Sequence, residues 1–166
     1  MSDRDREKNL RVIIKRTLFS FSVAFLVFLI DHVTKILALT HLEYGVPLEV
    51  LGPYFRFTLV FNPYGIWGLP ITKILPYEII AILAIFILIL FIVKEEKLLY
   101  NFFYGLILGG ALGNLYDRLR MKAVIDFIEI GISENLHWPI FNLADTFITI
   151  GIIGTIFFTF IKKDKK

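Results

Sequence analysis

Long apolar runs alternate with short polar stretches along this chain. The pattern predicts four helices at about 17–39, 75–93, 98–116 and 139–161, each close to the ~20 residues that cross a hydrocarbon core. The first passes through Leu-Phe-Ser-Phe-Ser-Val-Ala-Phe-Leu-Val-Phe-Leu-Ile and runs on through Asp31, Thr34 and Lys35, and the second centres on Ile-Leu-Ala-Ile-Phe-Ile-Leu-Ile-Leu. A Lys-Glu-Glu-Lys turn at 94–97 joins the second and third spans, whereas 40–74 and 117–138 are long loops. Within the first loop, Tyr54-Phe55-Arg56-Phe57-Thr58-Leu59-Val60-Phe61 is aromatic, β-branched and partly alternating, which predicts a strand. Gly52-Pro53 and Asn62-Pro63 bound it as turn signals. The expected architecture is an all-α membrane protein of four transmembrane helices with a small extracytoplasmic β-sheet on the membrane surface. A single domain covers residues 1–166, with 1–16 as an arm, and no internal repeat is visible.

Composition agrees with that reading. The 166 residues are 57% hydrophobic, include 17 phenylalanines, and have a mean hydropathy of +0.71, a membrane composition. Charge adds orientation. Lys and Arg number twelve across the N-terminal arm, the 94–97 turn and the C-terminal tail, against five in the two long loops. The positive-inside rule therefore places both termini in the cytoplasm and both long loops outside. The formal charge of +3 belongs to these flanking segments and implies no nucleic-acid partner. Trp67 and Trp138 fall on the outer side, where an aromatic belt sits. The first span carries Asp31 and Lys35 and lacks a small-x-small cleavage site, so it is expected to be a retained anchor rather than a signal peptide. Cysteine is absent, and His32, His41 and His137 show no ligand spacing, so neither a metal site nor a cofactor is expected.

Acids are the anomaly. Asp31, Asp117 and Asp145 sit in or at the ends of apolar spans, where a carboxylate costs roughly 2.5–3.5 kcal/mol on insertion scales. Asp126 lies in the apolar run Val-Ile-Asp-Phe-Ile. At a rise of 1.5 Å per residue, Asp31 lies roughly 21 Å up from the inner surface and Asp145 roughly 9 Å below the outer one. Asp117 follows the third span near the outer surface, and Asp126 lies in the loop joining the third and fourth spans on the same side. One polar pocket in the outer leaflet accounts for all of them. Helical spacing is consistent with this: Asp31 and Lys35 are i,i+4, Asn114 shares a face with Asp117 and Arg118, and Asn142 and Asp145 are i,i+3. Gly105, Gly109 and Gly113 repeat at four-residue steps, which lets a neighbouring helix approach closely. Asp31–Lys35 reads first as a structural pair, and Asn114, Asp117 and Arg118 suit capping and pairing as well as chemistry.

Two carboxylates in a weakly polar pocket cannot easily both ionise, so they share a proton and titrate as a pair. That state suits peptide hydrolysis by activated water. One acid takes a proton from water, and the other supports the scissile carbonyl and the leaving amine. A Ser-His-Asp set is not supported, because neither Ser133 nor His137 has a nucleophile-elbow context.

Five blocks in order carry a resemblance. They are Asp31-x-x-Thr34-Lys35, Asn62-Pro63-Tyr64-Gly65-Ile66-Trp67-Gly68, Gly-Gly-Ala-Leu-Gly-Asn-Leu-Tyr-Asp-Arg at 109–118, Val124-Ile125-Asp126-Phe127, and Phe141-Asn142-Leu143-Ala144-Asp145. Together they resemble the signature blocks of bacterial lipoprotein signal peptidase, the signal peptidase II family. The resemblance implies an intramembrane aspartic endopeptidase of the bacterial inner membrane, a target of the antibiotic globomycin. It implies cleavage of diacylglyceryl-modified prolipoproteins just before the lipidated cysteine. By motif, Asp126 and Asp145 are the catalytic pair. Asn62, Asn114, Asp117, Arg118 and Asn142 support the site and substrate binding, and Asp31 with Lys35 is the structural pair. Arg118 beside Asp117 also favours Asp126 as the partner of Asp145, by holding Asp117 ionised. The loop departs from the family pattern, in which Asn-x-Gly-Ala precedes the aromatic: Tyr64 takes the glycine's place and glycine follows one position later. The partners implied are the lipid-modified substrate and membrane lipid, with the chain acting as a monomer.

Two other readings compete. A proton- or cation-coupled transporter subunit would explain acids within spans, but it predicts polar residues across the whole thickness. An assembly factor docking through its glycine face leaves the carboxylates without a task.

Overall fold

The computed structural model describes residues 3–64, 76–133 and 136–163. The Gly65-Ile66-Trp67-Gly68 half of the loop signature, Lys73, Lys165, Lys166 and the start of the second span at 75 lie outside the described residues.

Among the described residues, four helices are long and apolar enough to cross a membrane: α1 (Asp3–His41), α2 (Tyr77–Lys94), α3 (Leu98–Met121) and α4 (Leu143–Lys163). At 39 residues, α1 is roughly 58 Å long, about twice a hydrocarbon core. Its charged first turns, with Arg11 paired to Glu7 at 2.6 Å, extend the helix well before residue 17. Arg16 donates to the carbonyl of Glu96 and ties α1 to the turn before α3.

Helix α3 is the buried centre. Its glycines face outward to two neighbours. A Cβ at Gly109 would lie 2.5 Å from the Ala24 carbonyl oxygen and 2.6 Å from Val27 Cβ on α1. At Gly110 it would lie 2.5 Å from the Ala144 carbonyl oxygen on α4. The expected close approach is thus made on two faces, with α1 and α4 both packed to backbone distance. Ala24, Ile85, Ile92, Leu108 and Leu115 join α1, α2 and α3 in one apolar cluster, while Val27, Phe103 and Leu106 form another. Large apolar side chains such as Phe25, Phe86, Leu83, Ile153 and Phe160 remain exposed around the outside. Such a surface suits lipid rather than water.

Two further boundaries differ from the expectation. Helix α3 continues to Met121 instead of ending near 116. Asp117 and Arg118 are therefore helical, and the loop assigned to 117–138 begins only after Lys122, whose left-handed φ of 59° stops the helix. Helix α4 starts at Leu143, not 139. The backbone of Phe141 is held in an antiparallel bridge to Ile128, so it cannot be helical.

Among the described residues, strands β1 (Leu48–Glu49), β2 (Phe55–Asn62), β3 (Val124–Ser133) and β4 (Leu136–His137) form an antiparallel sheet in that order. The expected strand at 54–61 is β2. The run around Asp126, read only as an apolar stretch, is β3, paired along β2 with Asn62 opposite Val124 and Val60 opposite Asp126. Alternation divides β3 between two environments. Ile125 and Phe127 pack with Ala38 and Leu59 against α1, while Val124 and Asp126 line a cavity on the other side. Glu129 is buried in the sheet, bonded by Arg56 and Thr58.

Candidate active site

A cavity of about 750 Å³ opens between α2, α3, α4 and the sheet. Asn62, Asn114, Arg118, Asp126 and Asp145 form its polar end, and Ala81, Ala111, Ile148 and Ile152 continue it as an apolar wall along the helices. A second cavity of about 420 Å³ on the far side of β3 is lined by Leu37, Ala38, Leu48, Phe57 and Phe127 and has no carboxylate in its wall.

Asp145 is placed by the start of α4. Asn142, the residue before the helix, accepts the Asp145 amide at 2.9 Å through Oδ1, and the Asn142 amide points back to Asp145 Oδ2 at 3.4 Å. This reciprocal pair has the form of a capping box. It fixes a carboxylate in the first helical turn, where the backbone dipole favours negative charge.

Asp126 is placed by β3 and is 2% exposed. Its Oδ1 accepts from Asn142 Nδ2 at 2.7 Å and its Oδ2 from Asn62 Nδ2 at 3.0 Å. Asn62 and Asp126 are diagonal neighbours on one face of the β2–β3 ladder, which brings their side chains within reach. The Tyr64 amide donates to Asn62 Oδ1 at 3.0 Å and so turns the Asn62 Nδ2 toward Asp126. The tyrosine that replaces the usual glycine thus still supplies an amide that orients Asn62.

Asn142 and Asn114 link the two acids. Asn142 Nδ2 reaches Asp126 and, at 3.0 Å, Asn114 Oδ1. Asn114 Nδ2 donates to Asp145 Oδ1 at 2.7 Å. Burial first, and the nearby Asp145 charge second, push Asp126 up to about 7, against the opposing hydrogen bonds from Asn62 and Asn142 and the Lys35 charge.

Beneath this pair lies a buried ion cluster. Lys35, 1% exposed, sits 2.8 Å from Asp31 Oδ2 and 2.8 Å from Asp117 Oδ2. It donates to Asn114 Oδ1 at 2.9 Å. The contact with Asp31 Oδ2 is a charge contact lying off the hydrogen-bond line, whereas Asp31 Oδ1 accepts the Ala144 amide at 2.9 Å. Asp117 Oδ2 also accepts the Ile125 amide at 3.3 Å. Asp117 is therefore paired through Lys35, not through Arg118 as the adjacent positions suggested. A helical turn points neighbouring side chains in different directions. Arg118 instead lines the cavity and stands 5.8 Å from the Tyr77 ring.

The nine residues expected as catalytic, supporting or structural converge here, in two layers. Asn62, Asn114, Arg118, Asp126 and Asp145 line the cavity, with Asn142 buried behind them. Asp31, Lys35 and Asp117 lie deeper. Trp138, expected as a belt residue unless it lines a substrate groove, and Thr146 and Thr149, not singled out, also line the cavity. Thr146 lies four residues after Asn142 and Thr149 four after Asp145, and that spacing was the available signal. Among the described residues no group of acids and histidines could hold a metal ion.

Comparison with known proteins gives a consistent result. The family model described as signal peptidase (SPase) II matches residues 23–161. A lipoprotein signal peptidase of Francisella tularensis subsp. mediasiatica is 39% identical over 142 residues, covering 80% of this chain and 86% of its own length. One from Clostridium acetobutylicum is 32% identical over 140 residues, covering 83% of this chain and 91% of its own. A solved bacterial membrane enzyme superposes with a TM-score of 0.79 at 32% identity, covering 89% of this chain and 90% of that one.

Proposed function

The chain belongs to the signal peptidase II family, and from that premise we propose that it is an intramembrane aspartic endopeptidase removing signal peptides from diacylglyceryl-modified prolipoproteins. Cleavage falls before the lipidated cysteine. The observation that carries this reading is the meeting of Asp126 and Asp145 at one cavity through Asn142 and Asn114.

Four carboxylates, Asp31, Asp117, Asp126 and Asp145, share this region with two cations, Lys35 and Arg118. Full ionisation would leave uncompensated negative charge out of water, so the Asp126–Asp145 pair retains a proton. In the reaction, the ionised carboxylate takes a proton from water as the oxygen attacks the scissile carbonyl. The protonated one hydrogen-bonds the carbonyl oxygen, and a proton then passes to the leaving amine. Atoms balance with no covalent intermediate. The apolar wall of Ala81, Ala111, Ile148 and Ile152 suits a hydrophobic signal segment and acyl chains, and Arg118 suits the polar backbone near the cut.

The charge distribution favours both termini in the cytoplasm, the sheet on the outer face of the bacterial inner membrane, and the acid pair near that face. One chain holds the entire acid pair, which favours a monomer. The transporter reading is disfavoured by what lies beneath the acids. Among the described residues the other buried polar pair in the helices, Ser20 and Asn101, meets at 2.7 Å near the opposite end, where Asn101 Nδ2 donates to the carbonyls of Glu95 and Lys97. Ala24, Val27, Leu106 and Leu108 separate the two clusters.

Purified protein in lipid, given a diacylglyceryl-modified precursor, should release an intact signal peptide detectable by mass spectrometry. Globomycin should block the release. A precursor that stays whole while the protein is folded and lipid-embedded would refute the peptidase reading.

A further inference from the structure

We propose that Lys35 is a positioning residue that decides which of the two active-site carboxyls keeps the shared proton, acting through the orientation of the Asn114 side-chain amide. This rests on the peptidase reading for its consequence in turnover, but its geometry stands on its own.

An ammonium has three donors and no acceptor. Lys35 holds Asp31 and Asp117 by charge at 2.8 Å each and gives one donor to Asn114 Oδ1. The last contact has a directional effect. With its oxygen facing Lys35 Nζ and, at 3.0 Å, Asn142 Nδ2, the Asn114 amide must present its NH2 group to Asp145 Oδ1. The reverse orientation would put Nδ2 against an ammonium and the amide oxygen against the Asp145 carboxyl. That arrangement is tolerable only with a proton on Asp145. Lys35 thus favours the state with Asp145 as the proton acceptor and the proton on Asp126.

Helix position acts in the same sense, against the Asn62 and Asn142 amides that donate to Asp126. Asp145 occupies the first turn of α4, where helix polarity stabilises an anion, and Asp126 stands on a strand with no such field. The charged groups facing the pair are Lys35 from α1 and Arg118 from α3, with Asp31 and Asp117 held behind Lys35 and Glu78 of α2 within electrostatic range of Arg118. Of these, Lys35 is the one that bonds an amide touching either acid through its side chain. Asp31, through the Ala144 amide, sets the position of the α4 start but does not select an amide orientation.

Removing Lys35 alone would strand Asp31 and Asp117, so the informative protein is Asp31→Asn/Lys35→Met/Asp117→Asn. Both introduced amides keep an oxygen for the Ala144 and Ile125 amides. In lipid nanodiscs with a lipid-modified precursor, kcat is expected to drop about 100-fold, the scale of general acid–base catalysis, with KM changed less than about threefold. The acidic limb of the pH profile should move to higher pH. A triple variant that folds and matches the wild type in kcat and both limbs would overturn the proposal. If the variant does not accumulate, the unmutated protein decides. Carboxyl 13C signals, assigned with Asp126→Asn and Asp145→Asn, should show the proton on Asp126, and a proton on Asp145 would refute the role. Wild-type protein that cleaves nothing would fail the peptidase reading alone, because the carboxyl signals still locate the proton.

Discussion

Asn114 and Asp145 lie 31 residues apart in the chain, and Asn114 Nδ2 donates to Asp145 Oδ1 at 2.7 Å. The bond spans two helices and depends on how closely they approach. One turn before Asn114, Gly110 faces the carbonyl of Ala144, the residue before Asp145. The absence of a side chain at 110 brings the start of α4 against α3.

Gly110→Val should therefore damage the site from outside it. Its Cβ would lie 2.5 Å from the Ala144 carbonyl oxygen, a backbone atom that cannot swing aside. The overpacking cost is about 1–3 kcal/mol. Thermal unfolding and turnover should both fall. Normal turnover would mean that the α3–α4 contact is not what sets Asp145.

The buried acids should separate by substitution. Asp126→Asn and Asp145→Asn are each expected to lose at least about 100-fold in kcat while the protein accumulates normally. Asp117→Asn weakens the link to Lys35 and should cost about 2 kcal/mol of stability, leaving measurable cleavage. Assaying precursor processing and protein level together checks this. A folded but inactive Asp117→Asn beside an active Asp126→Asn would reverse the assignment.

Proton sharing gives a pH signature. Asp126 is pushed up to about 7, so the pair loses its proton above that and cleavage should decline as pH rises through about 7. Asn62→Ala removes a hydrogen bond to the ionised form, and the declining limb should then move to higher pH. Linkage runs the same way. The ordinary aspartate value is 3.8 and the folded one about 7, so the contribution to stability is complete below 3.8 and lost as pH rises through about 7. Asp126→Asn should flatten that slope in unfolding measured against pH.

Stability of the sheet should have the opposite pH dependence. Burial pushes Glu129 up, but the bonds from Arg56 and Thr58 and the Arg56 charge outweigh it and hold Glu129 below the ordinary glutamate value of 4.5. Its contribution is present above 4.5 and lost as pH falls through the lower folded value. Arg56→Ala leaves that carboxylate stranded and should cost about 3 kcal/mol near neutral pH. The penalty should shrink in acid. An equal penalty at pH 3 and pH 7 in thermal unfolding would refute the ion pair.

Local features were legible in the chain. Runs of apolar residues long enough for a bilayer predict four helices because the hydrocarbon core admits little else. The Asn142-x-x-Asp145 spacing, the G-x-x-x-G steps and the strand before Asn62 each follow from the period of one element. The tertiary structure decided what joins elements far apart in sequence. Strand β3 was hidden because its first residues are buried on both faces, leaving no alternation to read around Asp126. Sequence adjacency suggested Arg118 for Asp117, but the fold brings Lys35 from another helix. Whether Asn114 presents its oxygen or its nitrogen to Asp145 also depends on that lysine, 79 positions earlier in the chain. Periodicity reports which face of its own helix or strand a side chain occupies. Only packing determines which face of another element it meets, and the hydrogen bonds that orient both acids are of that second kind.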